Sequence, residues 1–296
     1  MTASERDRGY DALVDACGRV GLDAGGATRL SGHATGVFLL PESGVVVRIG
    51  SGLGRVEQAR RAVAFARWLV SQGFPATRPI DVTQPVVVDD LAATFWMYYP
   101  HPHPPANRLA TADLGRLLRR LHALPRPPVR LPPYRPLAGL LDALEHSSSL
   151  ELPVKRWLAE RSRSLLENYD RLGFVLPAGH IHGDAYPGNL IATQEAPVLG
   201  DWDEASVGPR ELDLVNTYQG ARYGRTAEEL QAFGAAYGYD VTGWPGFKTL
   251  REIRELHTLG AFVRRADAGD EWAAAQLAHR VKTLQTGSDE RWTAAG

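Results

Sequence analysis

Three side chains between positions 180 and 214 have the types and the spacing to handle a phosphate. Asp184 and Asn189 lie five residues apart and Asp201 twelve further on, in HIHGDAYPGNLI (180–191) and PVLGDWDEASVGPRELDL (197–214). A carboxylate, a neutral carboxamide and a second carboxylate on irregular backbone between short strands make a set of hard oxygen donors. Magnesium takes one or two carboxylates and completes its octahedron with water and substrate phosphates. Asn189 and Asp201 could hold such a cation. Asp184 is then left to accept the proton of an incoming hydroxyl, the arrangement that phosphoryl transfer requires. Each residue alone has a plainer reading, because Asp beside Gly is a common turn former. The spacing of all three is what argues for chemistry.

Those side chains need a frame, and the chain supplies two kinds of it. Residues 27–49 read as extended pieces, RLSGHATGVFLL and VVVRI, joined by the turn Pro41-Glu42-Ser43-Gly44. From Leu53 to Gln72 the pattern turns helical, with Val56, Ala59, Val63, Ala66 and Val70 on one face and Gly73 as the stop. Two strand-like runs follow, VVVDD near 86–90 and TFWMYY at 94–99. At the N-terminus Tyr10, Leu13, Val14, Cys17 and Val20 recur at helical steps. The stiff connector PHPHPP (100–105) closes this part, and beyond it most of the chain is helical apart from about 175–208. The expected organisation is a sheet-based lobe over 1–99 and a larger helical lobe over 100–296.

Composition narrows the function. Thirty-three basic against 34 acidic residues leave a net charge of −1, which gives no polybasic surface for nucleic acid or membrane. The one cysteine, Cys17, excludes an internal disulfide and any multi-cysteine metal site. No apolar run is long enough to span a bilayer, and the opening MTASERDRGYDALVDACGRVGL lacks the apolar core of a secretory leader. A cytoplasmic enzyme is the expectation. His101 and His103 have no further clustered ligand and are not read as a metal site.

The 180–214 stretch resembles the catalytic and metal-binding loops of the aminoglycoside phosphotransferase and choline kinase-like family, relatives of the protein kinases. The pattern H-G-D-x-x-P-x-N is matched by His182-Gly183-Asp184-Ala185-Tyr186-Pro187-Gly188-Asn189, and D-W-(D/E) by Asp201-Trp202-Asp203. Similarity extends over about residues 28–265. The resemblance implies an α+β, bilobal protein-kinase-like fold with a small antiparallel-sheet N-lobe carrying one main helix and a larger, mostly helical C-lobe.

It further implies that Asp184 orients and deprotonates the acceptor, that Asn189 and Asp201 ligate Mg²⁺ on ATP (GTP being a second candidate donor), and that His182 and Asp213 brace the loop. The strand lysine of protein kinases has no counterpart, because no lysine precedes Lys155. Arg48 falls at the matching place, where a planar guanidinium can bridge two phosphate oxygens, and Glu57 is its expected partner. Ser31, Gly32, His33, Ala34, Thr35 and Gly36 occupy the position of the phosphate-covering turn. Met97, Tyr98 and Tyr99 would meet the adenine through backbone groups.

The family usually has a branched apolar residue before the metal aspartate. Here it is Gly200, which leaves room near the nucleotide or lets the strand bend. Asp203 could approach a second metal, bond locally, or with Glu204, Glu211, Glu252 and Glu255 contact the acceptor. Residues 251–296 hold seven basic and seven acidic residues, a balance that does not favour a polycationic substrate. The expected activity is ATP- and Mg-dependent transfer of a phosphoryl group to a hydroxyl of a small molecule, an antibiotic or a sugar- or amino-alcohol-like metabolite. The alternative is a nucleotide-binding pseudokinase with a regulatory role. A protein kinase is disfavoured, because only eleven residues separate Asp201 from Asp213.

Overall fold

The computed structural model describes residues 3–31, 36–52, 54–100 and 111–294. In chain order the elements are α1 (Ala3–Arg19), β1 (Thr28–Ser31), β2 (Gly36–Leu40), β3 (Val45–Ser51), α2 (Arg55–Ser71), β4 (Val86–Val88) and β5 (Leu91–Met97). Then come α3 (Thr111–Ala123), α4 (Ala138–His146), α5 (Leu152–Tyr169), β6 (Gly179–Ile181), β7 (Leu190–Ile191), β8 (Val198–Leu199) and β9 (Ser206–Gly208). Five helices complete the chain: α6 (Glu211–Tyr218), α7 (Ala227–Tyr237), α8 (Phe247–His257), α9 (Leu259–Asp267) and α10 (Glu271–Thr286). Among the described residues no helix is long and apolar enough to cross a membrane.

The chain divides into two compact units. The first comprises 1–109, 123–132 and 188–206, and the second 110–122, 133–187 and 207–296. The division is not a single cut, since the segment carrying Asn189 and Asp201 clusters with the sheet.

In the first unit β1 to β5 form an antiparallel sheet in the order β1-β2-β3-β5-β4. Side chains alternate across a strand, so Phe38, Leu40, Val45, Val47 and Ile49 share one face, where Leu13, Ala16 and Cys17 of α1 cover them. Each such aliphatic group contributes about 1.5–3 kcal/mol on burial. Arg48 points to the other face, with its cross-strand partner Thr94. Helix α2 lies against β5 and buries Ala59, Ala62, Val63, Phe65, Ala66 and Leu69.

Two expectations shift. Tyr10 and Val14 are exposed, because the buried stripe of α1 runs through Ala12, Leu13, Ala16 and Cys17. Asp89 adopts φ 52 and makes a turn with Asp90, so β5 begins at Leu91 rather than Thr94. Pairing with β3 from Ser51↔Leu91 to Val45↔Met97 overrides the weak strand preference of Ala92 and Ala93.

The second unit is a helical assembly with Leu118, Leu158, Leu214 and Val263 in its core. Helices α4 and α9 cross closely, and a Cβ at Gly260 would sit 3.1 Å from the Gly139 carbonyl oxygen.

Candidate functional site

In the first unit, strands β7 and β8 pair as Leu190↔Leu199, and the Gly200 N–H donates to the Asn189 carbonyl at 2.9 Å. This short ladder brings Asn189 and Asp201 to the same end. Asp201 is held at φ 61, ψ 66, a left-handed conformation that costs a non-glycine residue about 1–3 kcal/mol. Trp202 is buried edge-on against Phe65 and Phe74, which locks the turn that follows.

Arg48 reaches this turn from β3. Its Nη2 donates to Asp201 Oδ1 at 2.9 Å and to Asp203 Oδ2 at 3.2 Å. Desolvation opposes the charge of Arg48, but the two carboxylates outweigh it and raise the guanidinium above its ordinary value. Arg55 Nη1 also donates to Asp203 Oδ2 at 2.9 Å, and Gln58 Nε2 to the Asp203 carbonyl at 3.1 Å. Asp203 is therefore spent on two arginines, not displayed to an acceptor. Arg55 and Gln58, one helical turn apart on α2, were not singled out from the sequence; nothing in their spacing points to residue 203.

The expected Arg48–Glu57 pair does not form. Glu57 is exposed and pairs with Arg60 and, at 4.0 Å, with Arg61 on its own helix. Its place on the first turn of α2 turns it toward neighbours of that helix, while Asp201 and Asp203 take the guanidinium.

Gly200 has a packing reason. A Cβ there would lie 2.9 Å from Thr77 Cγ2, and the Thr77 N–H donates to the Leu199 carbonyl at 2.9 Å. The room left by the missing side chain is filled by Thr77.

Met97 and Tyr98 have already committed their N–H groups, to the carbonyls of Arg78 (2.8 Å) and Gly44 (2.9 Å), and Tyr99 accepts the Arg78 N–H at its hydroxyl (3.2 Å). An adenine edge would meet other backbone atoms there. Gly36 opens β2. Gly32, His33, Ala34 and Thr35, like His101 and His103, lie outside the described residues, as does the side chain of Ser31.

In the second unit, Asp213 on α6 organises the loop 180–185. Its Oδ2 accepts the His182 N–H at 2.7 Å and His122 Nε2 at 2.9 Å, and its Oδ1 accepts the Gly183 N–H at 2.8 Å. Burial alone would push this carboxyl up; the hydrogen bond and charge of His122, with His182, hold it below its ordinary 3.8. Gly183 adopts φ 84, a value that favours glycine, and Asn216 Nδ2 donates to its carbonyl at 3.1 Å. The ring of His182 is buried and its Nδ1 accepts the Asp184 N–H at 3.3 Å. His122, 91 residues before Asp213, also meets the Tyr237 hydroxyl at 2.9 Å. No short-range signal could have tied it to the loop.

Asp184 faces an arginine. Arg254 on α8 donates from Nη2 to Asp184 Oδ1, and from Nε to Gln219 Oε1 at 3.3 Å. Arg254 is 8% exposed. Nothing in its spacing distinguishes it from the other arginines of the last third.

Three of the carboxylates expected at an acceptor are otherwise engaged. Glu211 is fully buried and accepts the N–H groups of Val175 (2.7 Å) and Leu176 (2.8 Å), so it anchors a loop. Glu255 is paired with Arg222 at 2.8 Å and Glu252 with Arg161. Glu204 is exposed. Glu252 and Glu255 do line a cavity of about 570 Å³ formed by α5, α8 and the end of α10, but Asp184 takes no part in it.

Among the described residues no three His, Cys, Asp or Glu side chains converge as a metal set. A cation at the first unit's turn would rest on the oxygens of Asn189 and Asp201 and take its other ligands from phosphates and water. That donor set suits magnesium and not zinc.

Solved structures share this architecture. An amicoumacin kinase in complex with AMP-PNP and Ca²⁺ superposes with a TM-score of 0.73 at 15% identity, covering 99% of this chain and 98% of that one. A choline/ethanolamine kinase family protein from Mesorhizobium loti gives 0.65 at 15% identity, covering 95% and 94%. An aminoglycoside phosphotransferase from Streptomyces rimosus in complex with ADP and streptomycin gives 0.62 at 16%, covering 85% and 98%. A search of curated proteins finds no match. The fold is thus the α+β, protein-kinase-like fold of phosphotransferases. Residues 27–256 match the phosphotransferase enzyme family (APH), and the chain belongs to that family, as a small-molecule kinase.

Proposed function

We propose that the enzyme transfers the γ-phosphoryl group of ATP, with Mg²⁺, to a hydroxyl of a small molecule. The observation that carries this reading is the contact of Arg48 with Asp201, 2.9 Å across 153 residues of sequence, at a residue on strained left-handed backbone. Strain of this kind persists where the surrounding structure enforces it and clusters at functional sites. A guanidinium beside an oxygen-donor pair is the electrostatic equipment that a triphosphate needs.

Asn189 and Asp201 would hold the cation, whose chemistry is to neutralise charge on the phosphate oxygens. Arg48 binds and orients those oxygens as a planar fork. Asp184 takes the proton of the acceptor hydroxyl. The hydroxyl oxygen bonds to the γ-phosphorus as the bond to the bridging oxygen breaks, and ADP leaves with that electron pair. Because such transition states are loose, positioning and charge neutralisation supply most of the acceleration and the base less. The neighbours' ligands, AMP-PNP with Ca²⁺ in one and ADP with streptomycin in another, accord with a nucleotide donor and a small acceptor.

The test is ATP consumption with a panel of hydroxyl compounds, followed by mass spectrometry for an added phosphate. Asp184→Ala is expected to lower turnover about 10²- to 10⁴-fold while AMP-PNP still binds. Full turnover in that variant overturns the assignment of the base.

A further inference from the structure

Three of the acids expected at an acceptor, Glu211, Glu252 and Glu255, are engaged inside the second unit, and the carboxylate assigned to the acceptor hydroxyl carries an arginine of its own. We infer that Arg254 is a positioning residue for Asp184 and that it sets the acceptor class: a hydroxyl compound with no net positive charge, neutral or anionic. The inference rests on the reading of Asp184 given above.

The geometry has three parts. First, Arg254 is buried, its Nε donates to Gln219 Oε1 at 3.3 Å, and its Nη2 donates to Asp184 Oδ1. A side chain anchored at one nitrogen and donating from another fixes the carboxylate in one orientation, which a lone aspartate on a loop does not achieve. Second, the guanidinium cancels the charge that would draw an ammonium group to Asp184. A polycation approaching that carboxylate meets a cation already seated on it.

Third, the carboxylates of the surrounding helices are consumed internally. Glu211 holds two backbone N–H groups, Glu255 holds Arg222, and Glu252 holds Arg161. Along α8, Arg251 faces Glu255 at 3.8 Å and Asp289 at 3.9 Å, whereas the exposed Lys248 enters no ion pair among the described residues. That unpaired ammonium repels an approaching polycation. A site built for an amino sugar would need the opposite balance.

Three sets of hydroxyl compounds matched in size separate the outcomes: aminoglycosides such as kanamycin, neutral polyols and nucleosides, and hydroxycarboxylates. Phosphate gain is read by mass spectrometry, and ATP hydrolysis with water as acceptor is read in parallel. The expected result is phosphate gain confined to the neutral and anionic sets. An aminoglycoside phosphorylated with a kcat/KM equal to or above the best of the other compounds, or ATP hydrolysis with no phosphate gain in the neutral and anionic sets, overturns the charge selection and leaves the kinase reading intact. Absence of both phosphate gain and ATP hydrolysis overturns the kinase reading, and the inference falls with it.

For positioning, Arg254→Gln is expected to lower kcat at least tenfold, in transfer or in hydrolysis, with the KM for ATP unchanged. Arg254→Lys, which keeps the charge, restores part of the loss. Thermal unfolding of both variants identifies a folding defect, and the lysine variant carries the test if the glutamine variant does not fold. Wild-type kcat in a folded Arg254→Gln overturns the positioning role.

Discussion

His122 donates from Nε2 to Asp213 Oδ2 at 2.9 Å, and the same carboxylate receives the backbone N–H groups of His182 and Gly183 at 2.7 and 2.8 Å. One buried anion thus ties helices α3 and α6 to the loop that presents Asp184. Asp213→Asn puts an amide donor where donors already converge. The expected cost is about 3 kcal/mol, read as a lower urea midpoint. The sign with pH follows from the depressed carboxyl: its contribution is complete above the ordinary 3.8 and is lost as pH falls below it. An unchanged midpoint contradicts this account of the loop.

His257 titrates the fold in a different window. Desolvation first, then the charges of Arg254 and Arg264, push it down to about 3 from an ordinary 6.5, and its Nδ1 is buried without a hydrogen-bond partner. The folded state keeps the ring neutral while the unfolded chain takes up a proton. Its contribution is therefore intact above pH 6.5 and lost progressively between 6.5 and about 3. Stability of His257→Leu measured against pH should fall less steeply than wild type across that window. Parallel curves would show that His257 does not carry the slope.

Gly200 and Thr77 form a close-packed pair. Gly200→Ala forces a methyl to 2.9 Å from Thr77 Cγ2 and should cost about 1–3 kcal/mol. Thr77→Ala removes the obstructing methyl, so the double variant should be more stable than the sum of the single effects predicts, a coupling that a double-mutant cycle reads directly. Additive effects would mean that something other than Thr77 requires glycine.

Much of the architecture was legible in the residues because it follows from local rules. The turn at Pro41–Gly44, the helix of Ala59, Val63 and Ala66, and its stop at Gly73 depend on neighbours within a few positions. The start of β5 was not legible, because Ala92 and Ala93 are strand only through pairing with β3. At the site, residue types in short motifs single out Asp184, Asn189 and Asp201 as candidates, whereas their partners did not announce themselves. Arg48 meets Asp201 and not Glu57, and Asp184 meets Arg254, contacts of 153 and 70 residues that only the folded chain creates. Gly200 offered room near a nucleotide or a bend in the strand, and the space beside it is taken by Thr77.

Nucleotide binding depends on the side chains gathered at the first unit's turn, and AMP-PNP titrated by calorimetry with and without Mg²⁺ tests them. Wild-type binding should tighten when Mg²⁺ is added, and in Asp201→Asn that tightening should vanish. Arg48→Ala should bind roughly ten- to a hundredfold more weakly, the worth of a charge-assisted hydrogen bond of about 1.5–3 kcal/mol. Glu57→Ala should match wild type. Asp201→Asn and Arg48→Ala proteins that bind with wild-type affinity and wild-type metal dependence would contradict this.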